Sequence, residues 1–246
     1  MTTRILKFPD INAIAASAAE IIIAEARSAV SLRGRFSMAL SGGSTPRALY
    51  SLLASPAFKT QIEWTKTDLF WGDERCVSPD HPDSDYLMAK LSLLDRLSSS
   101  SFPGIHRLEG EMKPQAAAER YEVDLRQYFG LDPSHTFDVL LLGMGDDGHT
   151  ASLFPGTAPI HETEHWVVGH YVPKLASWRL TLTPPILNLA RITIFLVAGQ
   201  TKSAALKQIL EGSRNPDLYP SQAIQPVDGI LYWLVDDAAG EQIGNI

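Results

Sequence analysis

Hydrophobic and polar positions follow two different patterns along this chain. In some stretches apolar residues recur every three or four positions, as in a helix with one buried face, and in others they run almost without interruption, as in a buried strand. The helical pattern covers residues 11–32, 46–53, 84–97, 114–129 and 201–210. The strand pattern covers residues 4–8, 36–40, 68–72, 137–143, 166–172, 178–183, 191–199 and 231–235. Strands and helices therefore alternate over most of the chain.

Residue types at the ends of the predicted helices support these assignments. Asp10 precedes the first helix, where a carboxylate can accept hydrogen bonds from free backbone N–H groups. Pro114 opens a later helix, a position at which proline is tolerated well. Gly212 follows the last helix, which is typical of a helix end.

The alternation of strands and helices predicts the fold class. Such a chain forms a mostly parallel sheet flanked by helices, because each helix returns the chain to the edge of the sheet where the previous strand began. These crossover connections are right-handed. We therefore expect an α/β fold with a doubly wound, Rossmann-like sheet, and a small antiparallel strand pair near residues 165–183. The chain contains no repeat and no clear boundary, so we expect a single domain over residues 1–246.

Composition and charge narrow the range of partners. The chain is 45% apolar and 20% charged, as globular proteins are, and its formal net charge of -7 argues against nucleic acids and anionic membranes as partners. Its one cysteine, Cys76, allows no intrachain disulfide, which favours a cytoplasmic location. We expect neither a transmembrane segment nor a signal peptide. A monomer and a small homo-oligomer both stay open.

Four polar loops come directly after predicted strands. They comprise residues 41–46, 72–75, 143–149 and 199–202. In open α/β sheets, ligands bind in the crevice beyond the carboxyl ends of the strands. We therefore expect these four loops to converge on one binding site.

The loop of residues 41–46 has the composition of an anion-binding turn. Its glycines let backbone N–H groups approach a ligand, and the following helix N-terminus favours negative charge. The candidate ligand-binding residues are Ser41, Gly42, Gly43, Ser44 and Thr45. A tight turn with an N-cap would have the same residues. The lysine of a P-loop is absent, so a nucleoside triphosphate is not implied.

Residues 143–148 read G-x-G-x-x-G, and His149 follows. A dinucleotide site is disfavoured, because Asp146 and Asp147 would face and repel the pyrophosphate. We interpret the glycines as loop geometry and His149 as a general base, since histidine titrates near neutral pH and can take a proton from water. Asp147 or Asp73 is then the candidate for orienting the imidazole and stabilising its cation.

The remaining candidate residues are basic or could bind metal. Arg75, Lys174, Arg179 and Lys202 could each bind an anion, or could be ordinary solvated charges. Residues 161–165 read H-E-x-x-H, but Pro159 before them and the strand predicted after them argue against the helix that a zinc site needs. We expect no metal.

Together these motifs resemble the 6-phosphogluconolactonase family, within the superfamily of glucosamine- and galactosamine-6-phosphate isomerases. The matching segments are residues 41–46, 73–75, 143–156, 179–183, 187–188 and 199–202. Of these, residues 143–156 are highly specific. Two departures concern details of substrate recognition: Ser84-Asp85 replaces the usual Ser-Asn, and Leu175-Ala176 replaces a proline pair.

The resemblance implies hydrolysis of 6-phospho-D-glucono-1,5-lactone to 6-phospho-D-gluconate, the second step of the oxidative pentose phosphate pathway, without a cofactor. It implies that His149 activates the attacking water. It also implies that the loop at residues 41–45, Arg75 and Lys202 hold the phosphate or the sugar, with Lys174 and Arg179 as weaker candidates.

Two other functions remain as alternatives. Glucosamine-6-phosphate deaminases are related, but they typically continue with Ile-Ala-Phe-Asn-Glu after Asp-Gly-His, whereas this chain continues with Thr150-Ala-Ser-Leu-Phe154. A non-catalytic sugar-phosphate-binding protein would have no need of the base at His149. Ammonia release and lactone hydrolysis are the measurements that separate these functions.

Overall fold

The computed structural model describes residues 2–244, and a seven-stranded parallel sheet forms its centre. In spatial order the strands are β1 (Thr2–Phe8), β10 (Ile230–Asp236), β9 (Ile192–Val197), β6 (Val139–Gly143), β2 (Phe36–Leu40), β3 (Thr67–Trp71) and β5 (Gly104–Ile105). A second, antiparallel sheet contains β4 (Asp73–Arg75), β8 (Ser177–Leu182) and β7 (Val167–Val172) in that order. The expected parallel sheet and the antiparallel pair are thus confirmed.

Six α-helices connect these strands in the described part of the chain. They are α1 (Ile11–Arg33), α2 (Ser44–Leu53), α3 (Asp85–Ser92), α4 (Pro114–Phe129), α5 (Pro184–Leu187) and α6 (Ser203–Glu211). Asp10 caps α1 as expected, because its carboxylate accepts hydrogen bonds from the N–H groups of Asn12 and Ala13. None of the helices in residues 2–244 has the length and hydropathy to cross a membrane.

The core explains the continuous apolar stretches of the central strands. Every residue of β2 is buried, and so are the first four residues of β6, because helices cover both faces of the sheet. Helix α1 presents a stripe of small and branched residues to the sheet, including Ala18 and Ile22, which are fully buried. Burial of each large aliphatic side chain contributes roughly 1.5–3 kcal/mol.

Several predicted boundaries and segments need correction. Helix α2 begins at Ser44 rather than at residue 46. The helix predicted over residues 84–97 ends at Ser92, and a 3₁₀ turn, Leu94–Arg96, follows it. Residues 73–75, predicted as a loop, form strand β4, and β5 was not predicted at all. Both strands are too short, with three and two residues, to produce a readable pattern.

The strand order changes direction between β2 and β6. The chain proceeds from β2 to its neighbour β3 on one side, and from β6 to its neighbour β9 on the other. The connections after β2 and β6 therefore diverge and leave a crevice at the carboxyl ends of the two strands. The division into a single domain over residues 1–246 stays a prediction.

Candidate active site

A cavity of about 200 Å³ opens at the carboxyl ends of β2 and β6. Residues from all four predicted loops line it, as expected from the strand order. The lining residues are Ser41, Gly42, Gly43, Asp73, Arg75, Asp85, Gly143, Met144, Gly145, His149, Ala151 and Lys202. We call this space the switch-point cavity.

Tyr50 holds the backbone of the loop that follows β2 in place. The buried phenol accepts a hydrogen bond from the N–H of Ser41 at 2.9 Å and donates one to its carbonyl oxygen at 2.8 Å. Ser41, Gly42 and Gly43 reach the cavity lining, whereas Ser44 and Thr45 form the first turn of α2 and lie outside the lining. Because Gly43 is the N-cap of α2 and lines the cavity, the positive end of the helix dipole lies at the cavity.

His149 stands at the cavity wall on the loop after β6. Its ring stacks on Phe154 with 4.2 Å between the ring centroids, and 30% of its side chain is exposed. Gly145 allows this position, because a Cβ atom there would overlap Nδ1 of the imidazole. The ring is therefore accessible to a ligand and held in a defined orientation.

Asp147 is the carboxylate that contacts the imidazole. Its Oδ1 accepts a hydrogen bond from Nδ1 of His149 at 2.6 Å, and its Oδ2 accepts one from Nζ of Lys174 at 2.6 Å. Burial opposes ionisation, but the hydrogen bonds from His149 and Lys174 outweigh it and hold the pKa of Asp147 well below its usual range. Because the carboxylate accepts a hydrogen bond from Nδ1–H, the neutral imidazole has its free lone pair on Nε2, which can then accept a proton.

Asp73, the other candidate for this contact, has a different partner. Its Oδ2 accepts a hydrogen bond from Oγ of Ser152 at 2.8 Å. The N–H of Ser152 in turn donates to Oγ1 of Thr181 on β8, at 3.1 Å. Asp73 thus lines the cavity and ties the His149 loop to the antiparallel sheet, rather than orienting the imidazole directly.

Three neighbouring residues hold Arg75 at the cavity. Its guanidinium donates to the carbonyl oxygen of Asp83 at 2.6 Å and lies 3.3 Å from Oδ1 of Asp85. The buried carboxylate of Glu74 accepts hydrogen bonds from the N–H groups of Arg75 and Asp85, each at 2.8 Å. Glu74 therefore joins β4 to the N-terminus of α3.

The three other basic candidates differ in position. Lys202 lines the cavity and forms no ion pair with a carboxylate in residues 2–244, so its charge is available to an anionic ligand. Lys174 lies outside the lining and is bound to Asp147. Arg179, opposite Arg75 in the β4–β8 ladder, donates to Oγ of Ser177 at 2.7 Å and also lies outside the lining.

The remaining reactive groups give little support to other chemistry. Burial raises the pKa of Cys76 to about 11, so almost no thiolate forms at neutral pH. His161 ends a short 3₁₀ turn and contacts Asp217, while His165 contacts Glu122. Within residues 2–244 no group of three His, Cys, Asp or Glu side chains is arranged to hold a metal ion.

A larger cavity of about 770 Å³ borders the switch-point cavity. Asp147 and Lys174 belong to its wall, together with apolar residues such as Phe154 and Tyr219. It lacks the loop after β2, Arg75, Lys202 and the ring of His149. The smaller cavity therefore combines the imidazole of His149 with the cationic side chains of Arg75 and Lys202, and the larger one does not.

Comparison with known proteins decides the family. Residues 9–233 match the family described as "Glucosamine-6-phosphate isomerases/6-phosphogluconolactonase". The chain belongs to this family. The resemblance drawn from the sequence motifs is thereby confirmed.

Members of the 6-phosphogluconolactonase family resemble this chain over most of its length. The 6-phosphogluconolactonase of Nostoc sp. is 42% identical over 239 residues, which cover 96% of each chain. The human 6-phosphogluconolactonase is 40% identical over 212 residues, which cover 84% of this chain and 80% of the human one. The structure of the Trypanosoma cruzi 6-phosphogluconolactonase superposes with a TM-score of 0.85 at 27% identity, covering 100% of this chain and 99% of that one.

Several residues that line or support the switch-point cavity could not be predicted from the sequence. Tyr50, Glu74 and Phe154 position other residues, and their side-chain contacts leave no pattern in the sequence. Asp85 differs, because it was visible as a departure from the family pattern. The structure shows that this departure lies in the cavity lining itself.

Proposed function

We propose that this chain hydrolyses 6-phospho-D-glucono-1,5-lactone to 6-phospho-D-gluconate. The observation that carries the proposal is the His149–Asp147 pair beside a cavity that also contains Arg75 and Lys202. Relatives named 6-phosphogluconolactonase over nearly the whole chain support the same reaction. We propose a cytoplasmic setting and the second step of the oxidative pentose phosphate pathway as its context.

The proposed mechanism uses His149 as a general base. Water attacks the lactone carbonyl carbon while Nε2 of His149 takes its proton, and the ionised Asp147 stabilises the resulting imidazolium. The bond between the carbonyl carbon and the ring oxygen then breaks, and the imidazolium returns the proton to that oxygen. A lactone is an activated ester, so a base and correct positioning suffice for a large acceleration.

Arg75, Lys202 and the N-terminus of α2 are proposed to bind the phosphate. Together they supply two positive charges and a helix N-terminus at the same cavity. Binding of the remote phosphate would hold the lactone ring against His149. Lys174 is proposed to act on the reaction indirectly, through its ion pair with Asp147.

The test is lactone hydrolysis by the purified protein, followed within seconds of forming the lactone in situ. Because this lactone also opens spontaneously, the rate must be compared with that of a buffer control. We expect a rate proportional to protein concentration and no ammonia release from glucosamine 6-phosphate. Ammonia release would favour the deaminase, and phosphate binding with no acceleration would favour a non-catalytic binding protein.

Removal of Lys202 is expected to weaken substrate binding selectively. Lys202→Ala should raise KM about ten- to a hundredfold with little change in kcat, because a charged hydrogen bond contributes about 1.5–3 kcal/mol. Lys207→Ala, which removes an exposed lysine from the same helix region, is the matched control. An unchanged KM in Lys202→Ala would remove this residue from the phosphate site.

Metal removal is expected to leave the activity unchanged. The proposed reaction takes its base from an imidazole and its positive charge from side chains, so it has no step that needs a metal ion. Prolonged dialysis against excess chelator, followed by the lactone assay, checks this. Activity that is lost on dialysis and restored by zinc would contradict the proposed mechanism.

A further inference from the structure

A buried carboxyl group lies in the cavity where the proposed function requires an anion to bind. Asp85 is 3% exposed, and its side chain forms part of the cavity lining. On one side it contacts the guanidinium of Arg75, and on the other it packs so closely on Gly42 that a Cβ atom there would overlap it. Asp85 therefore separates the phosphate-binding arginine from the glycine loop.

The position of Asp85 is fixed by its neighbours. It is the first residue of α3, and its N–H donates to Glu74, which also accepts hydrogen bonds from the N–H of Tyr86 and from Oγ of Ser84. Glu74 thus joins strand β4 to this helix end and fixes the backbone that holds the carboxyl group of Asp85 beside the cavity. A negative charge on Asp85 therefore acts electrostatically on a ligand in the cavity.

The other charged groups around Asp85 make its ionisation state variable. Asp73, Glu74 and Arg75 face it from β4, Arg179 faces it from β8, and the phenol of Tyr50 lies on the α2 side. Burial, together with the nearby carboxylate of Asp73, raises the pKa of Asp85 well above its usual range, and Arg75 opposes this only in part.

We propose that Asp85 determines how tightly the switch-point cavity binds a sugar phosphate. As the counter-ion of Arg75 it positions the guanidinium at the cavity wall, and its negative charge competes with the phosphate for that guanidinium. Asp85 is thus a positioning and affinity-setting residue, which does not take part in proton transfer. This inference rests on the proposed function, because it assumes that the phosphate binds beside Arg75.

Two consequences follow from the competition. An uncharged residue of the same shape at position 85 should bind the phosphate more tightly, because like charges no longer oppose each other. The advantage should grow with pH, because more of Asp85 is ionised at higher pH in the wild type. The phosphate itself gains charge over the same range, so only the ratio between variant and wild type isolates the effect of Asp85.

The test is calorimetric binding of 6-phosphogluconate at pH 6 and pH 8.5. Asp85→Asn should lower Kd roughly tenfold at the higher pH, equivalent to about 1.4 kcal/mol, and by no more than that at the lower pH, where Asp85 is less ionised. The control is Asp132→Asn, which removes the same charge from an exposed side chain in the loop before β6, at the opposite edge of the sheet. It should stay within about twofold of wild type, as expected for a screened surface charge.

The outcomes separate this inference from the proposed function. If the wild type binds 6-phosphogluconate and hydrolyses the lactone, but Asp85→Asn binds no more tightly at either pH, the inference is wrong and the function stands. If the wild type does not bind 6-phosphogluconate, the proposed phosphate site and this inference are both wrong. Asp85→Ser provides the same comparison if thermal unfolding shows the asparagine variant to be misfolded.

Discussion

Replacing His149 by alanine is expected to lower kcat for lactone hydrolysis by about two to four orders of magnitude, the usual range for the loss of a general base. The imidazole faces the cavity with its Nδ1 bonded to Asp147, and no other histidine of residues 2–244 lines the cavity to replace Nε2. The cations and the glycine loop stay in place, so 6-phosphogluconate should still bind. The measurement is steady-state lactonase kinetics together with calorimetric product binding.

A second histidine variant controls for nonspecific effects. His161→Ala removes an exposed imidazole that also contacts an aspartate, Asp217, and should keep wild-type kinetics. If His149→Ala retains wild-type turnover, the ring has no part in proton transfer. If it loses product binding to the same extent as turnover, the site has collapsed, and the variant gives no evidence that His149 acts as a general base.

Gly145→Ala is expected to lower kcat about a hundredfold without removing any functional group. The new methyl group would overlap Nδ1 of His149, so the ring must move and lose its hydrogen bond to Asp147. Displacement of a catalytic group by about 1 Å can cost about a hundredfold in rate. Lactonase kinetics combined with a crystal structure of the variant would relate the loss to the position of the ring.

Gly72→Ala is the matched control for this variant. Gly72 also follows a strand of the parallel sheet, but a Cβ atom there would meet only the carbonyl oxygen of Leu40, at an ordinary 3.5 Å. Its kcat should stay within about threefold of wild type, as for a tolerated substitution. Full activity in Gly145→Ala would mean that the orientation of the His149 ring does not limit the reaction.

The parts of the fold that depend on local patterns could be predicted from the sequence. Strand β2 and helix α4 have the predicted bounds, because a fully apolar stretch marks the former and Pro114 marks the start of the latter. The convergence of the four loops also follows from the sequence, because it depends only on strand order and on a general property of parallel sheets.

The rest of the fold depends on individual backbone and side-chain contacts rather than on a repeating pattern. Strand β4 has the polar sequence Asp-Glu-Arg, and it is a strand only because β8, far along the chain, pairs with it. Helix α3 ends early, where the hydroxyl of Ser92 donates to the carbonyl oxygen of Met88 within the last turn. No pattern in the sequence encodes either contact.

The same distinction applies to the candidate site. The sequence indicated His149 and left Asp73 and Asp147 as equal candidates for its partner, because both are acidic residues at strand ends. Only the geometry distinguishes them, since Asp147 reaches Nδ1 while Asp73 is bound to Ser152. The resemblance made Lys174 a weaker candidate than Lys202; in the structure Lys174 is paired with Asp147, whereas Lys202 lines the cavity.

A crystal structure with 6-phosphogluconate bound would show whether one cavity holds both the reacting carbonyl and the phosphate. We expect the carboxylate of this product within hydrogen-bond distance of Nε2 of His149, and the phosphate against Arg75, Lys202 and the N–H groups at the start of α2. Product in the larger neighbouring cavity, or with its carboxylate remote from His149, would contradict this expectation.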